Sequence, residues 1–296
     1  MRRLALLAFL LVAACGSIGT AQAHTLALAY KTGDTYKYTL HAVFKYTLGA
    51  EGMSIPLDMD ITAKDTITVK SVDSSGTADM TVSVSNLTMK MTMSGTTNTT
   101  TIPTSADVDM KIASDGRVVS INGSTLGSGG LPGLSGSEGG LISAVLPDGT
   151  VKPGDSWTKN YDQANPMGSG TIHIATKNKY VDDEKVGSVN TAKVQSNIVT
   201  TIDLTIDLSS LGGQSGGTSI IPSGGASGAQ SITMKGTSTS DVTSWIDASA
   251  HRVVKTHSTG SLDAAMTMNM ASGSTNPMLT GPITFKGTQT VDMTPA

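Results

Sequence analysis

The residues from Tyr36 to Leu48, YKYTLHAVFKYTL, alternate apolar and polar side chains along nearly their whole length. Tyr36, Tyr38, Leu40, Ala42, Phe44, Tyr46 and Leu48 share one parity, whereas Lys37, Thr39, His41, Lys45 and Thr47 share the other, and Val43 alone breaks the pattern. A period of two is the side-chain period of a β-strand, whose successive residues face opposite sides of the sheet. Such a run reaches about 40 Å at roughly 3.3 Å per residue. The chain therefore contains a long strand with one wet face and one dry face, and the dry face must be covered by something.

The same writing continues downstream. From Ile55 to Val69 the residues Ile55, Leu57, Met59, Ile61, Ala63, Ile67 and Val69 oppose Asp58, Asp60, Thr62, Lys64, Thr66 and Thr68. A third run starts at Ala78 with Met80, Val82 and Val84 on even positions, then continues with Leu87, Met89, Met91 and Met93 on odd ones. A parity switch within one strand predicts a bulge near Ser85-Asn86, because one extra residue turns the following side chains to the other face. Ala106, Val108, Met110 and Ile112 predict a fourth strand, and SDGR at 114–117 a turn into Val118-Val119. No helical period appears beyond the first residues. The fold expected is all-β, built from long, curved antiparallel strands in a meander or half-barrel.

Much of this order is written twice. Gly33-Asp34-Thr35-Tyr36 returns as Gly154-Asp155-Ser156-Trp157, and Arg117-Val118-Val119 returns as Arg252-Val253-Val254. Gly-Asp makes a turn, its carboxylate bonds the turn backbone, and the aromatic begins a strand. Two tandem β units packed on each other are therefore expected, at 24–121 and 154–296. The Gly/Ser/Pro-rich stretch 122–153 joins them, and a second Gly/Ser-rich stretch, 209–230, reads as a flexible loop within the second unit.

The first residues, MRRLALLAFLLVAACGSIGTAQAH, place two arginines before an apolar run and then small residues, the layout of a secretory signal. The run from Leu4 to Ala14 is about half the ~20 residues that a membrane-spanning helix needs. Two boundaries compete: cleavage after Ala23 gives a leader of 1–23, whereas VAAC at 12–15 resembles a bacterial lipobox, with a leader of 1–14 and a lipid on Cys15. The expected location is outside the cytoplasm, either as a membrane-anchored lipoprotein of the cell envelope or free in the periplasm or medium. Cys15 is the only cysteine, so no disulfide can form within the chain. Arg2 and Arg3 leave with the leader, which takes 20 basic residues to 18 against 23 acidic ones, a net charge of −5. No basic face invites nucleic acid.

Signatures of catalysis are missing. GLSGS at 133–137 lacks the final glycine of a G-x-S-x-G elbow and lies in a glycine-rich stretch, and the histidines at 24, 41, 173, 251 and 257 form no H-E-x-x-H. Asp107-Val108-Asp109 and Asp182-Asp183-Glu184 lack the spacing of a calcium loop. A non-enzymatic protein without a cofactor is expected. The 15 methionines draw more notice, because MKMTM at 89–93 and MTMNM at 266–270 repeat Met-x-Met-x-Met. On strands, Met89, Met91 and Met93, and likewise Met266, Met268 and Met270, stand on one face about 7 Å apart. Thioethers select copper(I), and they also line pliable apolar surfaces. With Tyr36, Tyr38, Phe44 and Tyr46 these methionines are the candidate lining of an apolar cleft. The first functional reading is a binder of a lipid or another hydrophobic ligand; the second is a structural or interaction protein of the cell surface, touching an envelope component; copper handling is third.

The YKY strand, LPDGTVKPGDSW at 146–157 and WIDASAHRVVKTHSTGSLDAAMTM at 245–268 resemble an uncharacterised family of bacterial secreted and lipoprotein envelope proteins. That resemblance implies export and a β-rich fold, and carries no catalytic residues. In architecture alone, long antiparallel strands with one apolar face are similar to the half-barrels of lipid and lipoprotein carriers, which cover that face with helices.

Overall fold

The computed structural model describes residues 23–50, 52–102, 106–122, 143–164, 168–207, 229–270 and 281–296. All regular structure among them is strand. Strand β1 is His24–Thr25, β2 Thr35–Ala50, β3 Met53–Val72, β4 Ala78–Met93, β5 Thr96–Ile102, β6 Ala106–Ile112 and β7 Val118–Asn122. After these come β8 Thr150–Val151, β9 Ser156–Ala164, β10 Gly168–Val186, β11 Val189–Asp207, β12 Ala229–Asp247, β13 Arg252–Met270 and β14 Ile283–Pro295.

One 12-stranded antiparallel sheet holds all of these except β1 and β8, in the order β7-β6-β4-β3-β2-β14-β13-β12-β11-β10-β9, with β5 paired to β4 off that path. Its long strands curve into a nearly closed, barrel-like wall. The chain runs outward from β2 in the first half and from β9 back toward the middle in the second, and β14 then joins the halves by pairing with β13 and β2. The dry parity of each strand is the inside. On β2, Tyr38, Ala42, Phe44 and Tyr46 are buried while Lys37, His41 and Lys45 are exposed, the alternation expected from sequence.

Curvature has local causes. Thr62 pairs with Thr88 and Lys64 with Ser85, so Asn86 and Leu87 oppose Ala63 alone, and Asn86 has φ +52°. This is the bulge that the parity switch predicts. It also divides β4, whose first part pairs with β6 and whose second pairs with β5. On β14 a Cβ at Gly287 would lie 2.0 Å from the Lys45 carbonyl oxygen and 2.5 Å from the Tyr46 ring, so only glycine permits that close approach of β2.

The two Gly-Asp turns make matching bonds. The Gly33 N–H donates to Val69 O (2.9 Å), Asp34 N–H to Lys31 O and Val69 N–H to Asp34 O; the Gly154 N–H donates to Tyr180 O (2.7 Å), Asp155 N–H to Lys152 O and Tyr180 N–H to Asp155 O. Each aspartate also accepts from the N–H three residues earlier, Lys31 or Lys152, at 3.0 Å.

Candidate functional site: the interior of the barrel

One end of the interior is plugged. The chain from Leu26 to Ala29 crosses it, with the Leu28 N–H donating to Ser114 O (2.7 Å) beyond β6 and the Ala29 N–H to His251 O (3.0 Å) between β12 and β13. The segment 143–147 makes a second crossing. Ala144 N–H donates to Ser244 Oγ on β12 (2.7 Å) and Leu146 N–H to Asp115 O (2.7 Å). Leu26, Leu28, Ala144 and Leu146 are almost wholly buried, and they pack with Tyr38, Val69, Met80, Ile112, Tyr180 and Ile246 into one core cluster. The cover that a one-sided sheet requires is here supplied by the chain's own irregular segments.

A second cluster fills the other half, with Ala42, Phe44, Tyr46, Met59, Ile61, Ile174, Ile198, Ile202 and Leu262 among its buried members. Leu48, Met89, Met91 and Phe285 pack against it and remain half-buried, as are Met266 and Met268 on β13. Met93 is 45% exposed and Met53, in the β2–β3 hairpin, 60%. Among the described residues, apolar side chains therefore reach solvent at the end opposite the plug.

Between these clusters the β10–β13 wall carries a belt of small polar side chains on its buried parity: Thr176 and Asn178, Ser196 and Thr200, Ser238, Ser240 and Ser244, Thr256 and Ser258. Asn178 Nδ2 donates to Thr176 Oγ1 (2.8 Å) and Trp157 O (3.3 Å), while its Oδ1 accepts from Ser196 Oγ (2.6 Å). On the opposite wall Tyr46 OH donates to Gln289 Oε1 at 2.9 Å. Asp65 falls on the dry parity of β3, between Tyr38 and Val84 in register. Burial raises its pKa to about 6, and its Oδ1 has no hydrogen-bond partner among the described residues.

The sheet's two margins meet side chain to side chain. Lys159 Nζ of β9 lies 3.7 Å from Asp115 Oδ2, and the Arg117 guanidinium stands 5.1 Å from the centre of the Tyr161 ring. Trp157 Nε1 donates to Val145 O at 2.9 Å, tying β9 to the plug. On the inner face of β9, two residues past Tyr161, Gln163 is 93% buried.

The structure distributes the candidate lining along the whole interior. Tyr36 and Tyr38 belong to the plugged half: Tyr36 OH donates to Asp34 (2.7 Å) and Tyr38 OH to Val253 O (2.6 Å). Burial pushes the Tyr38 phenol up to about 12. Phe44 and Tyr46 lie in the middle and are buried. The described methionines of that lining gather toward the end opposite the plug, with four strand steps of the sheet separating β4 from β13. The side chain of Met270, and Cys15, lie outside the described residues. The hydroxyl belt, Asp65, Tyr161 and Gln163 went unread in the sequence, because polar residues on a buried parity break the very pattern that marks it, and the plug went unread because its residues lie outside any long alternating run. Among the described residues, no three His, Cys, Asp or Glu side chains group as metal ligands, and no helix is long and apolar enough to cross a membrane.

Comparisons add little. No family model and no curated protein matches the chain. Seven chains of solved structures match it, among them a lipovitellin structure described for its lipid–protein interactions. That match is 10% identical with a TM-score of 0.43 and covers 90% of this chain and 26% of lipovitellin. The chain thus spans about a quarter of that protein's length, and likeness at this level says nothing of what it binds.

Proposed function

We propose that the protein is an exported, non-enzymatic binder of a hydrophobic molecule, held inside the barrel and admitted at the end opposite the plug. The observation that carries this reading is the asymmetry of the two ends. One is sealed by side chains buried to within 2%. The other, among the described residues, presents Leu48, Met89, Met91, Phe285, Met266 and Met268 half-buried. A pliable, thioether-rich rim suits an irregular chain such as an acyl group better than one rigid ligand. A fluorescent acyl-chain probe tests this: delipidated protein should bind it saturably, and Met91→Asp or Met268→Asp should weaken binding roughly tenfold by placing a charge in the rim. No saturable binding by folded wild type would sink the reading.

The tether belongs to the same proposal. Cys15 carries lipid and holds the barrel at the membrane of the cell envelope; mass spectrometry of the membrane fraction should find an acylated Cys15 at the mature N-terminus. A mature protein beginning at His24 would reject this. A second reading rests on the outer face, where Thr237, Asp263, Lys286 and Thr47 follow one another across four strands in register. Such wet rows are compatible with contact to an envelope polymer or protein.

A further inference from the structure

Besides Asp65 Oδ1, two neighbouring buried polar atoms on the inner face of β9 have no hydrogen-bond partner among the described residues. Gln163 Oε1 and Tyr161 OH lack a partner among the described residues, although each atom is shielded from solvent. Both side chains project from the inner face of β9, one margin of the sheet, two residues apart and so about 7 Å apart along the strand. Their register partners on β10 are Ile172 for Gln163 and Ile174 for Tyr161, both members of the apolar cluster of the half away from the plug. Native interiors leave few such groups unpaired, because each costs its full desolvation, and an unpaired pair side by side calls for an occupant.

The chemistry of the pair restricts that occupant. Gln163 Oε1 accepts and so needs a donor. A carboxylate or phosphate offers only acceptors. A hydroxyl both donates and accepts, so it satisfies Gln163 in either orientation of the amide, and it satisfies the Tyr161 hydroxyl as donor or acceptor. The cations nearby already have anions: Arg117 Nε bonds Asp115 at 2.7 Å, and Lys159 contacts both Asp115 and Asp148. Burial pushes the Tyr161 phenol up to about 12, with Arg117 pulling the other way, so it stays a neutral hydroxyl. The apolar surface of Ile172, Ile174, Ile198 and Ile202 lies next to this pair and suits a hydrocarbon chain.

We propose that Tyr161 and Gln163 form the head pocket of the interior and select an acyl chain bearing a neutral hydroxylated headgroup, such as a monoacylglycerol, over the free fatty acid. This rests on the reading of the interior as a binding cavity. The test compares a monoacylglycerol, the fatty acid of equal chain length and the matching methyl ester as competitors for one bound fluorescent acyl probe. Wild type should take the monoacylglycerol roughly tenfold more tightly than either competitor, the factor expected for one satisfied buried hydrogen bond. Gln163→Leu and Tyr161→Phe should each lose most of that preference while keeping the affinity for the methyl ester. Gln163→Leu puts apolar atoms in place of the unpaired amide and Tyr161→Phe removes the unpaired hydroxyl, so unfolding temperatures of the empty protein should stay level or rise. Equal affinity for all three competitors, or an equal drop for all three in the variants, would show that water alone occupies the pair and would overturn the proposal. Failure of the probe itself to bind folded wild type would instead overturn the binding cavity on which it rests.

Discussion

The wall formed by β2, β3 and the first part of β4 and the wall formed by β10 to β13 face the same interior, yet they are furnished differently. The first presents Ala42, Phe44, Tyr46, Met59, Ile61, Ile67, Val69, Met80 and Val82, with Asp65 as its one carboxylate. The second interrupts its isoleucines and valines with nine hydroxyl or amide side chains, of which Thr176, Asn178 and Ser196 bond to one another and Ser244 accepts from the Ala144 N–H. The difference teaches how a wide barrel with few aromatics closes. Large side chains on one wall fill the bore, and small polar ones on the other occupy little of it.

The largest expected effect breaks the apolar wall. Phe44 is fully buried, and Phe44→Ala should cost about 3–5 kcal/mol, lost transfer energy plus the cavity left behind. Chemical denaturation should show this as a lowered midpoint. A loss below about 1 kcal/mol would mean that the bore at Phe44 is not packed as described.

Asp65 sharpens the contrast, since it is the polar intruder on the dry wall. Its folded-state pKa of about 6 lies above the ordinary carboxylate value of 3.8, so the folded protein holds the proton more tightly than the unfolded chain does. Its contribution to stability is therefore most favourable below pH 4, falls as the pH rises toward about 6 and is level above that. Asp65→Asn should raise stability at pH 7 by about 2 kcal/mol, after allowance for partial exposure, and the gain should vanish near pH 4. A gain independent of pH would assign it to something other than the buried charge.

On the hydroxyl wall the corresponding break is Asn178→Ala, which strands Ser196 Oγ and removes the bonds to Thr176 and Trp157. A loss of about 1–2 kcal/mol is expected, smaller than at Phe44 because the hydroxyls can turn to other partners. The double variant Asn178→Leu with Ser196→Ala should recover part of it, since removing both partners leaves no orphan.

These walls also show what could be read in advance. Where one parity is apolar and the other charged, as in Tyr36 to Leu48, the strand, its inner face and even the bulge at Asn86 were legible, because period two and its interruption are local properties. The β10–β13 wall hid its inner face behind Thr, Asn and Ser, which suit either side of a sheet. Strand β5, TTNTTTI, has no alternation of polarity to betray it. Nor could local patterning place β14 next to β2, a pairing between Tyr38 and Pro295 at opposite ends of the chain. The methionine rim was visible as Met-x-Met-x-Met, whereas the plug was not, since Leu26, Leu28, Ala144 and Leu146 lie outside any long run.

The smallest effect tests the starting points of the two halves. Gly33, just before β2, and Gly154, just before β9, have φ of +91° and +97°, a region that side chains of L-residues disfavour. A Cβ built at either glycine meets nothing within 4 Å, so alanine there adds backbone strain without a clash. Gly33→Ala and Gly154→Ala should therefore each cost about 1 kcal/mol, with a difference of no more than a few tenths between them. Gly116 supplies the control, because at φ +89° its Cβ would also lie 2.4 Å from Ser143 Oγ and 3.1 Å from Ala144 O in the plug. Gly116→Ala should cost clearly more than either turn variant, and it should loosen the plug as well. Thermal unfolding of the three variants, with hydrogen exchange at Leu28 and Leu146 as the readout for the plug, decides the matter. Faster exchange at those two amides in Gly116→Ala alone is the expected outcome; equal losses at all three glycines would mean that 143–147 does not press on the 113–117 turn.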